Sequence, residues 1–305
     1  MNDMPPCNLC HGREYKLLYR GNIVDDMSPR FSQYAYYDDI YRCCSCGLVV
    51  QQCRHSREAI ARFLKAEKYL DEAIGGLNLI EKYVQFEHLI RLIEKYRPIA
   101  GSKLLDVGAN TGVFLSTVRS RAAAVRGIEP SEEAAQIART KLGVDVQAGL
   151  IGEVELPDAA FDLITMFDVV EHLTDPADDL AHLFRKLAPG GAIFITTHDI
   201  ETWFARLSGP RYPMLMYQHF FHFSPATLLR MLEQAGFRVL GYDRFLKSWS
   251  FEYLYHLIEK KWPGTRLAWT LRMLLSPGMA VPAIRKARIT SPQRDFFMIA
   301  AERRR

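Results

Sequence analysis

The sequence lacks any long uncharged apolar run, since none of its hydrophobic stretches approaches the roughly 20 residues of a membrane-spanning helix. Residues 1–6 also lack the basic stretch and apolar core of a secretory signal. Both absences predict a cytoplasmic protein that does not cross a membrane. Low-complexity tracts and internal repeats are missing too, and 49% hydrophobic with 24% charged residues is the composition of an ordinary globular chain.

The sequence has little excess charge of either sign. Its 39 Lys and Arg residues stand against 35 Asp and Glu residues, which gives a formal net charge of +4. The basic residues among the first 57 positions alternate with acidic and aromatic ones, and they form no stripe that could follow a phosphate backbone. We therefore expect no nucleic-acid partner.

Cysteine is missing beyond residue 53, and four of the six cysteines form two CxxC pairs, Cys7 with Cys10 and Cys43 with Cys46. In a reducing compartment, clustered thiols bind metal more often than they form disulfides. Four thiolates in two such pairs suit tetrahedral Zn²⁺ in a structural site without an open position, so the sequence predicts a zinc ribbon. Thiols that pack as small hydrophobic groups or take part in redox chemistry are the alternative. The spare potential ligands nearby are Cys44, Cys53 and His11.

The chain divides into three predicted parts. Residues 1–57 form a zinc-ribbon-like head, residues 58–100 a helical connector, and residues 101–305 an α/β domain. Apolar residues of the connector recur every three or four positions, which is typical of helices. Gly75-Gly76 should divide the connector into two helices, and Pro98 should end the second one.

From residue 103 onward, short apolar runs alternate with amphipathic helices. The runs predict seven strands, at residues 103–107, 124–128, 144–147, 161–167, 192–197, 237–245 and 295–302. Ser131, Asp175 and Ser224 each occupy an N-cap position between these strands, and proline follows the last two. Strands that alternate with helices predict an α/β fold with a mostly parallel, doubly wound, seven-stranded sheet.

An insertion, residues 246–294, separates the last two predicted strands. Its two apolar-rich segments, 251–262 and 267–275, lie on either side of Pro263-Gly264. We expect a helical subdomain that covers the site or forms a homodimer contact. Contact with a membrane surface is a weaker alternative, suggested by tryptophans and basic residues. These are Trp249, Trp262, Trp269, Lys260, Lys261, Arg266 and Arg272.

The first strand of the α/β domain runs into a glycine-containing loop, LLDVGANTG, at residues 104–112. In an open α/β sheet the ligand binds beyond the carboxyl ends of the strands, so a cofactor should lie at this loop. Gly108 and Gly112 would let the backbone approach it closely, and Asn110 tolerates a left-handed conformation. The dinucleotide pattern GxGxxG is broken, because Asn110 and Val113 stand where glycine is required.

Two acidic residues indicate the kind of ligand. Asp106, just before the glycine turn, would repel a pyrophosphate, whereas it suits a cationic ligand with an amino group. Glu129, followed by Pro130, ends the second strand, where a carboxylate can accept hydrogen bonds from both hydroxyls of a ribose. S-adenosylmethionine, a nucleoside with a cationic amino-acid tail, fits both carboxylates. An NAD(P)-dependent oxidoreductase is the alternative, which Asp106 and the broken glycine pattern disfavour.

Residues 103–245 resemble the class I S-adenosylmethionine-dependent methyltransferases. The matching segments are LLDVGANTG, GIEPS, FDLITMFDVVEHL, LAPGGAIFITT and HFFHFSPATLLRMLEQAGF. The resemblance implies a Rossmann-like methyltransferase domain over residues 101–305. The cofactor-binding residues that we predict are Asp106, Gly108, Ala109, Asn110, Gly112, Glu129, Pro130, Phe167 and Asp168. Ala109-Asn110 departs from the commonest form of the loop, which has Cys-Gly or a similar pair.

With the two CxxC pairs included, the layout is similar to a subgroup with a zinc-ribbon head, often associated with methylation of sugars, polysaccharides or secondary metabolites. The resemblance implies methyl transfer to a small molecule or a glycosylated intermediate, with S-adenosylhomocysteine as the second product. A non-catalytic interaction protein built on the zinc ribbon is a further alternative. The intact Asp106 and Glu129 argue against it.

Methyl transfer to a hydroxyl, an amine or an acidic carbon is helped by a general base near the acceptor, and histidine is the natural candidate. His219 and His222 rank first, because the loop after the fifth strand usually meets the acceptor in this fold. His172 follows the fourth strand, and His198 follows the fifth. For each of them, ordering a loop or capping a helix is the alternative role.

Asp168, Glu171 and His172 have the spacing DxxEH, which is similar to the ExxEH element of ubiquinone-type O-methyltransferases. Two carboxylates and an imidazole could hold a divalent cation that helps to bind the substrate. A cap or salt-bridge role for Glu171 is the alternative.

Overall fold

The computed structural model describes residues 4–22, 36–52, 59–60, 62, 65, 76–261, 266–290 and 294–304. In the first predicted connector helix, Ala59, Ile60, Arg62 and Lys65 are described and are helical. The remainder of that helix lies outside the described residues, as do Cys53, Trp262 and Pro263-Gly264.

The strands follow the apolar runs of the sequence closely. They are β1 (Tyr15–Tyr19), β2 (Ile40–Cys43), β3 (Val49–Gln51), β4 (Lys103–Val107), β5 (Ala124–Glu129), β6 (Val146–Ala148), β7 (Phe161–Phe167), β8 (Leu187–His198), β9 (Phe221–His222), β10 (Arg238–Phe245), β11 (Ser248–Ser250), β12 (Arg288–Thr290) and β13 (Phe296–Glu302). β8 begins five residues before its predicted start at residue 192, because Leu187 already pairs with Phe161 of β7, ahead of a shift in register.

The helices lie between these strands. They are α1 (Gly76–Glu94), α2 (Val113–Val118), α3 (Glu132–Ile137), α4 (Pro176–Lys186), α5 (Trp203–Ser208), α6 (Pro225–Gln234), α7 (Phe251–Lys261), α8 (Arg266–Ala280) and α9 (Pro282–Lys286). A π-helix, Ala138–Leu142, extends α3, and short 3₁₀ turns cover Val170–His172 and Gly209–Arg211.

The predicted caps are present at the helix N-termini. The side chain of Ser131 accepts the backbone N–H of Ala134, and Asp175 accepts that of Asp178. Ser224 forms a full capping box, in which its hydroxyl and that of Thr227 each accept a backbone N–H of the other residue. Each cap satisfies an N–H group that lacks a partner within the helix, which fixes where the helix begins.

Seven strands form the central sheet, in the order β10-β13-β8-β7-β4-β5-β6. β4 to β8 pair in parallel, whereas β13 runs antiparallel to both β8 and β10. The predicted seven-stranded, mostly parallel α/β sheet is therefore confirmed. Because β4 and β5 are parallel neighbours, their carboxyl ends bring Val107 and Glu129 to the same edge.

Both faces of this sheet are covered. In β8, Ile193 and Ile195 pack in one hydrophobic cluster, and the alternate residues Ala192 and Phe194 pack in another on the opposite face. All four are fully buried, as expected for a strand with helices on both sides. The doubly wound architecture thus follows from an apolar run without alternating polar residues.

The cysteine-containing head forms a second, four-stranded sheet in the order β1-β2-β3-β9. Its fourth strand comes from the α/β portion, since Val49 pairs with His222 and Val50 pairs with Phe221. Cys7, Leu48 and Val50 of the head share a buried cluster with Phe221. The limits of the head at residue 57 and of the connector at residue 100 remain predictions. The structure adds that β9, which lies far beyond both limits in sequence, completes the sheet of the head.

The insertion is helical, as predicted, and contains α7, α8 and α9. A two-stranded antiparallel ribbon that was not predicted joins its two ends, with Ser248 paired to Thr290 and Ser250 paired to Arg288. Trp269 and Leu274 of α8 are exposed. Within the described ranges, no helix combines the length and apolar character that crossing a bilayer requires.

Candidate active site

A cavity of about 580 Å³ opens at the carboxyl ends of β4, β5 and β7. The glycine loop forms one wall, α1 another, and the two ends of the insertion a third. Every predicted cofactor-binding residue except Gly112 lines it, and so does His172. These lining residues are Asp106, Gly108, Ala109, Asn110, Glu129, Pro130, Phe167, Asp168 and His172.

Glycine is needed in the loop after β4 for a different reason from the predicted one. At Gly108, where φ is 73°, a Cβ would lie 2.3 Å from Cγ2 of Val169. At Gly112, where φ is 78°, a Cβ would lie 2.5 Å from Cγ2 of Val144. The missing side chains therefore make room for the protein itself, and this packing places Gly112 behind the cavity wall. Asn110 does adopt the expected left-handed conformation, with φ of 50°.

Asp106 is almost completely buried at the end of β4, where its Oδ1 accepts a hydrogen bond from the Thr165 hydroxyl at 2.7 Å. Burial raises the pKa of Asp106 to about 7; the Thr165 hydrogen bond opposes this change and the negative charge of Glu129 adds to it. The ionised carboxylate therefore lacks a compensating cation among the described neighbours that set its pKa. A cationic ligand in the cavity would supply one.

Glu129 braces the loop as well as facing the cavity. Its Oε2 accepts the backbone N–H of Asn110 at 2.9 Å, and its Oε1 accepts that of Ser131 at 3.0 Å. Each carboxylate oxygen has a second lone pair, so the same group can still accept a hydrogen bond from a ribose hydroxyl. The sequence predicted that Glu129 accepts hydrogen bonds from a ribose, but not that it also holds the loop through the N–H groups of Asn110 and Ser131.

Asp168 lies at the end of β7 in a left-handed conformation, with φ of 55°. Its Oδ1 accepts the hydroxyl of Thr196, and its Oδ2 accepts a charged hydrogen bond from Lys247 at 2.6 Å. The Lys247 ammonium also lies 3.8 Å from the ring centre of Phe296. Lys247 was not predicted as a site residue, and its position just after β10, at the start of the insertion, is the one signal that could have indicated it.

The four histidines predicted as candidate general bases occupy different surroundings, and His198 is fully buried outside the residues that line the cavity. His172 lines the cavity, and its Nδ1 lies 2.8 Å from the carbonyl oxygen of Gln218. His219 and His222 are buried and are not among the residues that line this cavity. Burial, followed by neighbouring histidines, holds the pKa of both well below the usual value, so both are neutral at pH 7.

Glu171 is buried beside these histidines, with its Oε1 3.8 Å from Nδ1 of His198. Burial raises its pKa, but electrostatic attraction to His198 and His172 outweighs burial and lowers it. The structure groups Glu171 and His172 with His219, whereas Asp168 is held by Lys247. The predicted Asp168, Glu171 and His172 set is therefore not brought together as one group of ligands.

The four paired cysteines of the head converge. Sγ of Cys7 lies 3.5 Å from that of Cys46, Sγ of Cys10 lies 3.5 Å from that of Cys43, and all four lie within 4.8 Å of one another. Tetrahedral zinc with bonds of about 2.3 Å requires sulfurs about 3.8 Å apart. The four thiols are not joined in disulfides, and their spacing is compatible with a zinc ribbon. Cys44 is exposed and outside the group.

The sheet order, the cavity at its carboxyl edge and the two acids at adjacent strand ends together define a class I S-adenosylmethionine-dependent methyltransferase fold. A family model described as "Methyltransferase domain" matches residues 80–241. The chain belongs to this family.

Curated relatives support the same class. The chain is 31% identical over 160 residues to a ubiquinone biosynthesis O-methyltransferase of Thiobacillus denitrificans, a match that covers 48% of this chain and 69% of that protein. It is 32% identical over 141 residues to an S-adenosylmethionine-dependent methyltransferase of Mycolicibacterium smegmatis, covering 46% of this chain and 53% of that one.

Solved structures show the same fold. A methyltransferase from Bacillus halodurans superposes with a TM-score of 0.51 at 15% identity, covering 72% of this chain and 100% of that one. A Leishmania major enzyme gives 0.51 at 16% identity, covering 80% and 82%. The protein is therefore an S-adenosylmethionine-dependent methyltransferase, and neither the oxidoreductase nor the non-catalytic alternative is supported.

Proposed function

We propose that the protein transfers the methyl group of S-adenosylmethionine to a hydroxyl oxygen of a small molecule. The observation that carries the proposal is that His172 lines the same cavity as Asp106 and Glu129. The name of the Thiobacillus relative, an O-methyltransferase, supports oxygen as the methylated atom. Among the small molecules and glycosylated intermediates predicted from the sequence, this proposal selects those that carry a free hydroxyl group.

Asp106 and Glu129 are the residues that would hold the cofactor. An ionised Asp106 offers the negative charge that an amino group requires, and Glu129 offers acceptor lone pairs to a ribose. The bound sulfonium supplies an activated methyl group. The protein's task is then to align the acceptor oxygen with that methyl group and to exclude water.

His172 is the general base of this proposal. A carbonyl oxygen can only accept a hydrogen bond, so the proton of the neutral ring lies on Nδ1, toward Gln218. Nε2 then carries the lone pair and can accept the proton of an acceptor hydroxyl. His219 and His222, the bases ranked first from the sequence, lie behind the cavity wall, and a base role for either remains an untested prediction.

The acceptor should combine an apolar face with a hydroxyl group. Three aromatic rings, Phe86, Phe167 and Phe245, line the cavity. Such a cavity suits an aromatic or quinol-like ring. The sugars, glycans and secondary metabolites predicted from the sequence remain proposals for the same site, because each of them also offers hydroxyl groups.

We also propose that Cys7, Cys10, Cys43 and Cys46 bind one structural Zn²⁺. The four convergent sulfurs support this assignment, and zinc would stabilise a small head whose own core is limited. Two partner predictions remain proposals: a homodimer contact through the insertion, and its weaker alternative, contact with a membrane surface. Exposed apolar residues of the insertion, among them Trp269 and Leu274, are available for either.

The test is methyl transfer measured as S-adenosylhomocysteine release over a panel of phenols, catechols, quinols and sugar nucleotides. We expect turnover with a hydroxylated acceptor and none with its O-methylated analogue, with NMR showing the new methyl group on oxygen. A product methylated on carbon or nitrogen would contradict the O-methyltransferase proposal. Failure to bind S-adenosylmethionine in calorimetry would contradict the assigned roles of Asp106 and Glu129.

A further inference from the structure

A second cluster of metal-ligand side chains lies about the end of β8, separate from the cysteines. Side-chain nitrogens of His198, His219 and His222 lie within 4.8 Å of one another. We propose that these three histidines bind a divalent transition-metal ion of the zinc class. Nothing in this proposal depends on the methyl acceptor, and it uses neither Asp168 nor His172.

Unsatisfied buried atoms are the first support. His198, His219 and His222 are 0%, 3% and 1% exposed, and Glu171 beside them is 2% exposed. Nδ1 of His198, Nε2 of His222 and Oε2 of Glu171 are all inaccessible to solvent and have no hydrogen-bond partner in the part of the chain that the structure describes. A buried polar atom without a partner costs roughly 1–3 kcal/mol. A cation held by the three rings would offset this cost by binding a histidine nitrogen and by attracting the nearby Glu171 carboxylate.

The orientation of the rings is the second support. Nδ1 of His219 lies 2.8 Å from the carbonyl oxygen of Met214, which fixes the proton on Nδ1 and leaves the lone pair on Nε2. Metal-binding histidines are commonly oriented in this way by a carbonyl or a carboxylate. The backbone therefore holds His219 in the tautomer that a metal ion requires.

His198 and His222 face each other. Nε2 of His198 lies 3.0 Å from Nδ1 of His222, and on the other side of the ring Nδ1 of His198 lies 3.8 Å from Oε1 of Glu171. If Nε2 binds the metal, the proton lies on Nδ1 and points to the carboxylate. At metal sites a carboxylate commonly faces the free N–H of a metal-bound histidine, and Glu171 in this position would supply negative charge near the cation.

The donor set indicates the class of ion. Neutral imidazoles favour Zn²⁺, Co²⁺, Ni²⁺ or Fe²⁺, whereas Mg²⁺ and Ca²⁺ prefer oxygen ligands. The burial of all three rings favours a structural ion over a catalytic one, which would need an open coordination position for a substrate. The ion would tie the end of β8, where His198 lies, to the segment that contains His219 and His222. That segment also provides β9 and the Gln218 carbonyl beside His172.

Metal content per chain tests the proposal, with zinc as the probe. Full-length protein is treated with a chelator, reloaded with excess zinc, desalted and measured by mass spectrometry of the element. We expect two zinc ions per chain in the unmodified protein, one in His219→Gln and one in the double variant Cys7→Ser, Cys10→Ser. His256→Gln, which changes an exposed histidine of α7, is the matched control and should keep two.

Cobalt separates the two sites without relying on a variant that folds poorly. Co²⁺ in the cysteine site gives sulfur-to-metal charge-transfer absorption, whereas Co²⁺ bound by histidines gives ligand-field bands alone. We expect the unmodified protein to take up a second equivalent of Co²⁺ that adds ligand-field absorption and no charge transfer. A single equivalent that shows charge-transfer absorption in the unmodified protein would overturn the proposal. So would two equivalents retained by a folded His219→Gln variant.

Discussion

Lys247 joins the insertion to the rim of the cavity through one ion pair, with its Nζ 2.6 Å from Oδ2 of Asp168. The pair is asymmetric in exposure, since the lysine side chain is 15% exposed and the carboxylate 40%. Lys247 immediately precedes β11, so this contact fixes the point at which the chain leaves the sheet and enters the ribbon. Breaking it should loosen the insertion while leaving the central sheet intact.

Lys247→Met should lower the free energy of unfolding by about 1 kcal/mol, the range for a partly exposed charged hydrogen bond. We also expect faster amide exchange at Ser248–Ser250 and Arg288–Thr290, measured by mass spectrometry. Lys95→Met is the matched control, because Lys95 pairs with Asp243 away from the cavity. Equal exchange in the ribbon of both variants would contradict an anchoring role for Lys247.

Asp106→Asn should weaken S-adenosylmethionine binding by about 10- to 100-fold, because a hydrogen bond to a charged group contributes about 1.5–3 kcal/mol. In the unmodified protein, affinity should also fall as the pH drops below about 7, where Asp106 becomes protonated and loses its attraction for an ammonium group. The variant should lack this pH dependence. Titration calorimetry between pH 5.5 and 8.5 measures both effects.

Asp106→Asn, which should weaken cofactor binding, should by contrast stabilise the cofactor-free fold above about pH 7. A carboxyl group whose pKa is higher in the folded than in the unfolded chain binds more protons when folded. Asp106 therefore lowers stability progressively as the pH rises from about 4 to about 7. Without cofactor, Asp106→Asn should raise the thermal midpoint at pH 8 and leave it nearly unchanged near pH 4. A lower midpoint at pH 8 would contradict this, because it would mean that a cation of the protein already compensates the ionised carboxylate.

His172→Gln should lower kcat by about 10²- to 10⁴-fold, the usual contribution of a general base, with S-adenosylmethionine affinity within about twofold. The loss should shrink at high pH, where hydroxide and an ionised acceptor replace the base. His182→Gln on α4, whose ring is bonded to Arg185 away from the cavity, is the control. A uniform loss at every pH would assign His172 a positioning role instead.

Gly108→Ala should destabilise the fold by more than about 3 kcal/mol, because it adds overlap with Val169 to the strain of a positive φ. Gly101→Ala is a close control: its φ is also 73°, but nothing lies within 4 Å of the added Cβ. That change should cost about 1 kcal/mol. Chemical denaturation measures both, and Gly108→Ala with Val169→Ala should recover part of the loss.

The sequence indicated the central sheet well because its strands are dense apolar runs with distinct caps between them. β9 could not be predicted, since two residues carry no periodicity and their pairing with Val49 and Val50 depends on a distant segment. The ribbon of β11 and β12 was missed for the same reason. Most of the residues predicted to bind the cofactor line the cavity, because one loop and one strand end hold most of them.

The base assignment could not be settled in the same way. In the sequence, His172 follows the predicted fourth strand and His198, His219 and His222 follow the predicted fifth. The sequence alone therefore places them near one another without saying which ring faces the cavity. Side-chain packing decides that, and it turns His172 inward while covering His219 and His222. Lys247 was missed because its partner Asp168 is 79 positions away.

The sheet shared between β3 and β9 limits how such enzymes can be recombined. A chimera that exchanges the cysteine-containing head alone would replace β3, the strand with which Phe221–His222 pairs. The segment that contains Phe221–His222 also contains Gln218, whose carbonyl oxygen contacts His172. Substitutions in the cysteine-containing head that disturb β9 would therefore also affect His172. To transfer acceptor preference between homologues, the cysteine-containing head and the β9 segment would therefore have to be exchanged together.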